Sequence, residues 1–167
     1  MNFKITNNNF YINLIIIFLI FILDRLTKLY VIYLDKINNS SEIFSSKFLN
    51  IYLIWNEGIA FGFFSFDENH LYNFLTLFIL IIIFVILYMI SKSSGFKKYS
   101  LLMVFGGALG NVFDRIMYKA VPDFVDFHVG NFHWFIFNLA DVFISIGVIS
   151  MIIYELFLSN KKFHEDI

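Results

Sequence analysis

The chain has 167 residues, 59% hydrophobic and 15% charged, with a mean hydropathy of +0.76, whereas soluble domains are about half apolar and about a quarter charged. Long apolar runs carry the excess, which excludes a soluble globular enzyme and points to a membrane protein. A net charge of -1 leaves no basic footprint for nucleic acid, and the absence of cysteine excludes disulfides, thiolate metal sites and cysteine nucleophiles.

Four apolar segments follow in chain order, over 14–34, 71–90, 99–118 and 133–158. Each is close to the roughly 20 residues that a bilayer-crossing helix needs. The expected fold is therefore an all-α membrane protein, a four-transmembrane-helix bundle in one domain over 1–167. Lys4 ahead of the first run resembles the start of a signal peptide, but Asp24 to Lys28 follow without a small-residue cleavage site. The segment is read as a retained span. In the outside connection 35–70, Phe48 to Trp55 is β-prone and Asn56 to Gly62 is a glycine-punctuated turn, which predicts a small extracytoplasmic β-rich lobe. The third span holds Gly106, Gly107, Gly110, Asn111, Asp114 and Arg115, which membrane helices tolerate where they pack closely. The second outside connection, 119–132, contains the only proline, Pro122, with Asp123 and Asp126. Lys4, Lys92, Lys97, Lys98, Lys161 and Lys162 fall on one side of the spans and most loop acids on the other, which predicts cytoplasmic termini.

Polar residues within apolar runs are costly unless paired or hydrated, so they mark candidate sites. Asp24 and Lys28 stand four apart, an arrangement that forms a helical ion pair. Asn111 and Arg115 share a helix face, with Asp114 beside them to balance charge. Asn138 and Asp141 are read as one face of the fourth span, Asp141 about eight residues inside it. All of these fall in the outer leaflet, Asp24 and Lys28 in the outer half of the first span. Asp123 or Asp126, brought near Asp141, makes a carboxylate pair that shares one proton, the arrangement that activates water against a peptide bond.

Other chemistries lack their residues. His70, His128, His133 and His164 form no metal-ligand spacing and are read as loop or tail positions, so no metal and no cofactor is expected. No GxSxG elbow is present, and Gly106 to Gly110 has neither a preceding strand nor a nucleotide-binding pattern. A proton- or ion-translocating subunit also carries intramembrane acids, but below Asp141 no ionisable residue appears in the fourth span until Glu155. A catalytically silent scaffold is the third reading, and it needs no carboxylate pair.

Five blocks in order, Asp24 to Lys28, Asn56 to Gly62, Gly106 to Arg115, Val121 to Phe124 and Phe137 to Asp141, resemble the bacterial lipoprotein signal peptidase family, signal peptidase II. The resemblance covers nearly the whole chain. It implies an aspartic endopeptidase of the bacterial inner membrane, working at the outer face, that removes signal peptides from prolipoproteins before the diacylglyceryl-modified cysteine. Prolipoproteins and membrane lipids are the implied partners, with a monomer expected. The family's catalytic pair falls on Asp123 and Asp141. Asp126 would require a three-residue insertion relative to Arg115 and is left as a supporting or solvated residue. Asn111, Arg115 and Asn138, with Asp114 beside them, are implied to orient the pair and bind substrate backbone. Asp24 and Lys28 are implied to hold the site from span one, and Asn56 and Gly58 to place the outside segment over the substrate. Arg25 stands where the family often has glutamine, and Pro122 replaces the usual valine before Asp123.

Overall fold

A computed structural model describes residues 3–39, 42–58 and 69–159. Lys161, Lys162 and His164, and the part of the Asn56 to Gly62 turn beyond Gly58, lie outside the described residues. In chain order the elements are α1 (Phe3–Ile37), β1 (Phe44–Ser45), β2 (Leu49–Asn56), α2 (Asn69–Lys92), α3 (Gly95–Tyr118), β3 (Val121–Val129), β4 (Phe132–Phe137) and α4 (Leu139–Ile153), which continues as a π-helical turn over Tyr154–Ser159.

Among the described residues, three helical stretches are long and apolar enough to cross a membrane: Phe74–Lys92, Gly95–Tyr118 and Leu139–Phe157. The stretch in α3 is 56% buried against 11% for each of the others, so α3 is the hub and α2 and α4 turn most of their surface outward. Outward-facing side chains such as Phe74, Phe84, Tyr88 and Ile149, like Phe18 and Leu19 on α1, are large and apolar. A surface of that kind suits lipid rather than water.

Small residues on α3 and α4 let the helices approach. A Cβ on Gly107 would stand 2.5 Å from the Ala140 carbonyl oxygen, and one on Gly147 2.6 Å from that of Ser100. Backbone-to-backbone packing of this kind is what glycine permits between membrane helices. Nearer the opposite end from the sheet, Ile83, Ile86 and Ile90 of α2 close against Leu101, Leu102 and Phe105 of α3 in an apolar core.

The strands form one antiparallel sheet in the order β1-β2-β3-β4. Because β1 and β2 join α1 to α2 and β3 and β4 join α3 to α4, the sheet lies at a single end of the helices. The lobe expected from 35–70 alone thus draws half its strands from the second connection. The last span also starts later than expected. Residues 133–137 belong to β4, which pairs with β3, and the helix begins only at Leu139 behind its cap Asn138. The run Phe132–Phe137 is apolar and aromatic, which suits a strand as well as a helix; its hydrogen bonds to β3 decide the matter.

Two register slips shape the sheet. Between the Ile51↔Val125 and Ile54↔Asp123 pairs, Tyr52 and Leu53 face the single residue Phe124. Between Asp126↔Ile136 and His128↔His133, Phe127 faces both Trp134 and Phe135. A bulge of this type reverses the side-chain alternation of the strand that carries it. Asn50 and Tyr52 therefore share a face with Asp126, while Ile54 and Asn56, of the same parity, share the other face with Asp123.

Candidate active site

The site is built on a floor of buried charge. Asp24, Lys28 and Asp114 are fully buried and Arg25 nearly so. Lys28 Nζ donates to Asp24 Oδ2 at 3.0 Å, to Asp114 Oδ2 at 2.7 Å and to Asn111 Oδ1 at 2.8 Å. Arg25 Nη2 donates to Asp114 Oδ2 at 2.7 Å, while its guanidinium lies 5.0 Å from the centre of the Phe113 ring. Two acids and two bases cancel, which is what makes burial at this depth tolerable. Arg25, which the sequence marked only as a departure from a pattern, is a working member of this quartet. Asp24 Oδ1 also accepts the Ala140 N–H at 3.1 Å, tying α1 to the start of α4.

Asn111 joins the floor to the layer of Asn138 and Asp141. Its Oδ1 accepts from Lys28 and, at 3.2 Å, from Asn138 Nδ2; its own Nδ2 donates to Asp141 Oδ1 at 2.8 Å. Asn138 and Asp141 are not two positions inside a helix but a capping box at its start. The Asp141 N–H donates to Asn138 Oδ1 at 3.1 Å, and the Asn138 N–H donates to Asp141 Oδ2 at 3.1 Å. Asp141 therefore sits in the first turn of α4, where an aspartate partners free backbone N–H groups and meets the positive end of the helix dipole.

Asp123 enters from β3, 3% exposed. Asn138 Nδ2 donates to its Oδ1 at 2.6 Å and Asn56 Nδ2 to its Oδ2 at 2.9 Å. Burial first, and the Asp141 charge second, push its pKa up to about 6, against the lowering effect of the Asn56 and Asn138 hydrogen bonds and of Lys28. Asn56 is held in turn by the Gly58 N–H at 2.9 Å, and the Gly58 carbonyl accepts from Arg115 Nη2 at 2.9 Å. Asn56, Asn111, Arg115, Asp123, Asn138 and Asp141 all line one cavity of about 350 Å³, walled on its apolar side by Ile79, Ala108, Val121 and Ile144.

The structure thus brings together Asp123, Asp141, Asn111, Arg115, Asn138 and Asn56, with Asp24, Lys28 and Asp114 beneath and Gly58 beside them. Asp126 is elsewhere. It lies on the opposite sheet face, fully buried rather than solvated, with its Oδ2 at 2.8 Å from His133 Nδ1. His128 and His133 are cross-strand partners rather than unrelated loop positions, and one ligating atom from each lies within 4.8 Å of an Asp126 oxygen and of the other. Spacing along the chain concealed this grouping, because it depends on the slip in β4. The wall residues Ile79, Ala108 and Ile144 carried no signal that separates them from ordinary core.

A family model described as Signal peptidase (SPase) II matches residues 16–157. The chain belongs to the signal peptidase II family. Among relatives of this signal peptidase II chain, the lipoprotein signal peptidase of Pelagibacter ubique (strain HTCC1062) is 51% identical over 162 residues, 97% of this chain and 98% of the relative. That of Anaplasma phagocytophilum (strain HZ) is 38% identical over 145 residues, 87% and 92% of the two chains. A solved structure described as a bacterial membrane enzyme is 31% identical, with a TM-score of 0.72 over 87% of this chain and 93% of its own. A second of the same description is 30% identical, with a TM-score of 0.66 over 86% and 87%. The signal peptidase II match runs from within α1 through the end of α4, including both halves of the sheet.

Proposed function

We propose that this chain is an aspartic endopeptidase that removes the signal peptide of diacylglyceryl-modified prolipoproteins, cutting before the lipidated cysteine, with Asp123 and Asp141 as the catalytic pair. The observation that carries the reading is that Asp123 and Asp141 reach one cavity from different elements, with Asp123 raised to about 6 partly by Asp141. Two carboxyls so coupled hold one proton between them up to about pH 6.

In this reading Asp123 serves as the acid of the pair and Asp141, whose carboxylate faces the positive end of α4, as the base. As water attacks the scissile carbonyl carbon, Asp141 takes a water proton and Asp123 gives its proton to the carbonyl oxygen. A gem-diol forms. Asp141 then returns its proton to the amide nitrogen while Asp123 recovers one from a gem-diol hydroxyl, and the C–N bond breaks. The products are the carboxyl end of the signal peptide and the free amine of the lipidated cysteine, with the pair restored. Asn138 touches both carboxyls and Asn111 touches Asp141, so both fix the geometry, while Arg115, through Gly58, holds the Asn56 turn beside the cavity. Ile79, Ala108 and Ile144 offer the apolar side that a lipid-anchored substrate requires.

In this reading α1 is a fourth span, both termini are cytoplasmic, and residues 1–167 form one domain of the bacterial inner membrane that acts as a monomer with its site at the outer face. The test is cleavage of a diacylglyceryl prolipoprotein by the purified protein in detergent. Asp123→Asn and Asp141→Asn should each lose at least about a thousandfold in rate. Full activity of either variant would overturn the pair.

A further inference from the structure

We propose that Asp126, His128 and His133 form a binding site for a divalent transition-metal ion of the zinc class, on the sheet face opposite the catalytic carboxyls. This inference does not rest on the peptidase reading. Three observations carry it. First, one ligating atom from each of the three side chains lies within 4.8 Å of the others. Two imidazoles and a carboxylate are a donor set that zinc and its neighbours favour, with the remaining position open to water. Second, the grouping depends on the β4 slip. Strict alternation from the Asp126↔Ile136 pair would turn His133 to the other face, whereas the bulge at Trp134 and Phe135 returns it to the face of Asp126 and His128. Third, the cluster is under-satisfied without a cation. Asp126 is fully buried, yet its Oδ1 has no hydrogen-bond partner, and neither has the buried Nδ1 of His128.

The remaining contacts fit a metal ligand held from behind. Asp126 Oδ2 receives Asn50 Nδ2 at 3.5 Å and the Tyr52 hydroxyl at 3.4 Å, both long, and only His133 Nδ1 approaches closely, at 2.8 Å. Polar groups behind a ligating carboxylate orient it. Ligand atoms around a tetrahedral zinc stand about 3.3 Å apart, so the ring of His133, whose side chain is 50% exposed, swings a short way to admit the ion. The rings of His128 and His133 are stacked with centroids 5.1 Å apart, so both present their nitrogens to the same side of the sheet as Asp126. A bound ion clips β3 to β4 on the strand that carries Asp123.

The test uses the full chain in detergent, purified on a tag without histidine, stripped with chelator and titrated with Zn²⁺ in excess Mg²⁺. One Zn²⁺ per chain should bind at micromolar concentration or tighter and raise the unfolding temperature. His128→Ala and His133→Ala should each weaken binding by about a hundredfold or more and remove the thermal shift, while the double variant His70→Ala, His164→Ala keeps both. His133→Ala sits at a half-exposed position and keeps the test open if His128→Ala does not fold. Absence of stoichiometric binding to the wild type, or binding that survives either His128→Ala or His133→Ala, overturns the site.

Discussion

One strand carries two buried aspartates three residues apart, and they live in different chemistry. Asp123 faces the helices, where two asparagine amides meet its oxygens and burial, then a second carboxyl, raises its pKa to about 6. Asp126 faces away, against a histidine and two long contacts. Neither residue type nor burial separates them, since both are almost wholly enclosed. What separates them is the pleat of β3 and the bulge of β2, which sends Asn50 and Tyr52 to one face and Asn56 to the other. An aspartate on this strand takes its character from the face it is assigned to.

Exchanging the two acids for amides in turn separates the two faces of β3 most strongly. Asp123→Asn should remove cleavage, at least about a thousandfold, whereas Asp126→Asn should change the rate by no more than a few-fold, read as kcat/KM on a lipidated substrate. Equal losses would mean that the faces are not chemically distinct. The second contrast is the charged floor beneath Asp123, which Asp126 lacks. Lys28→Met leaves two buried carboxylates with Arg25 as their one remaining cation, and breaking a buried ion pair on one side costs about 3–5 kcal/mol, which is measurable as a lower unfolding midpoint in detergent. The third is a packing test on the same helices. Gly107→Ala drives a methyl against the Ala140 carbonyl, which cannot turn aside, and should cost about 1–3 kcal/mol by overpacking.

The parts legible in the sequence are those where the membrane makes polarity expensive. Asn111, Asp114, Arg115 and Asp141 stand out in apolar runs because each needs a partner there, and the structure supplies one for each. Lys28 with Asp24 is legible for the same reason, through their helical spacing. The sheet is a different matter. Phe132–Phe137 is apolar on every residue but His133, so it carries no period that distinguishes strand from helix, and the expected start of the fourth helix lies too early. Which of Asp123 and Asp126 meets Asp141 depends on strand register, which residue spacing alone does not encode; only the resemblance to a family favoured Asp123. The approach of His128 to His133 depends on a slip in β4 that no local pattern announces.

The smallest effect is also the one that most directly reports on the proton that Asp123 shares with Asp141. Asn56 Nδ2 donates to Asp123 Oδ2, a bond that favours the ionised carboxyl and so lowers its pKa from where burial and Asp141 would set it. In the wild type, kcat/KM should fall as pH rises through about 6, because the free enzyme then loses the proton shared by the pair. Asn56→Ala removes a lowering contact, so the alkaline limb moves to higher pH, by less than about one pH unit for a single hydrogen bond. A residue that merely shaped the turn would depress activity at every pH and leave the limb in place. The same sign governs stability. A carboxyl whose pKa is raised by folding costs nothing below about pH 4, where both states are protonated, and destabilises the fold increasingly up to about pH 6. Asp123→Asn abolishes that penalty, so the inactive variant should match the wild type in unfolding temperature at low pH and exceed it above pH 6.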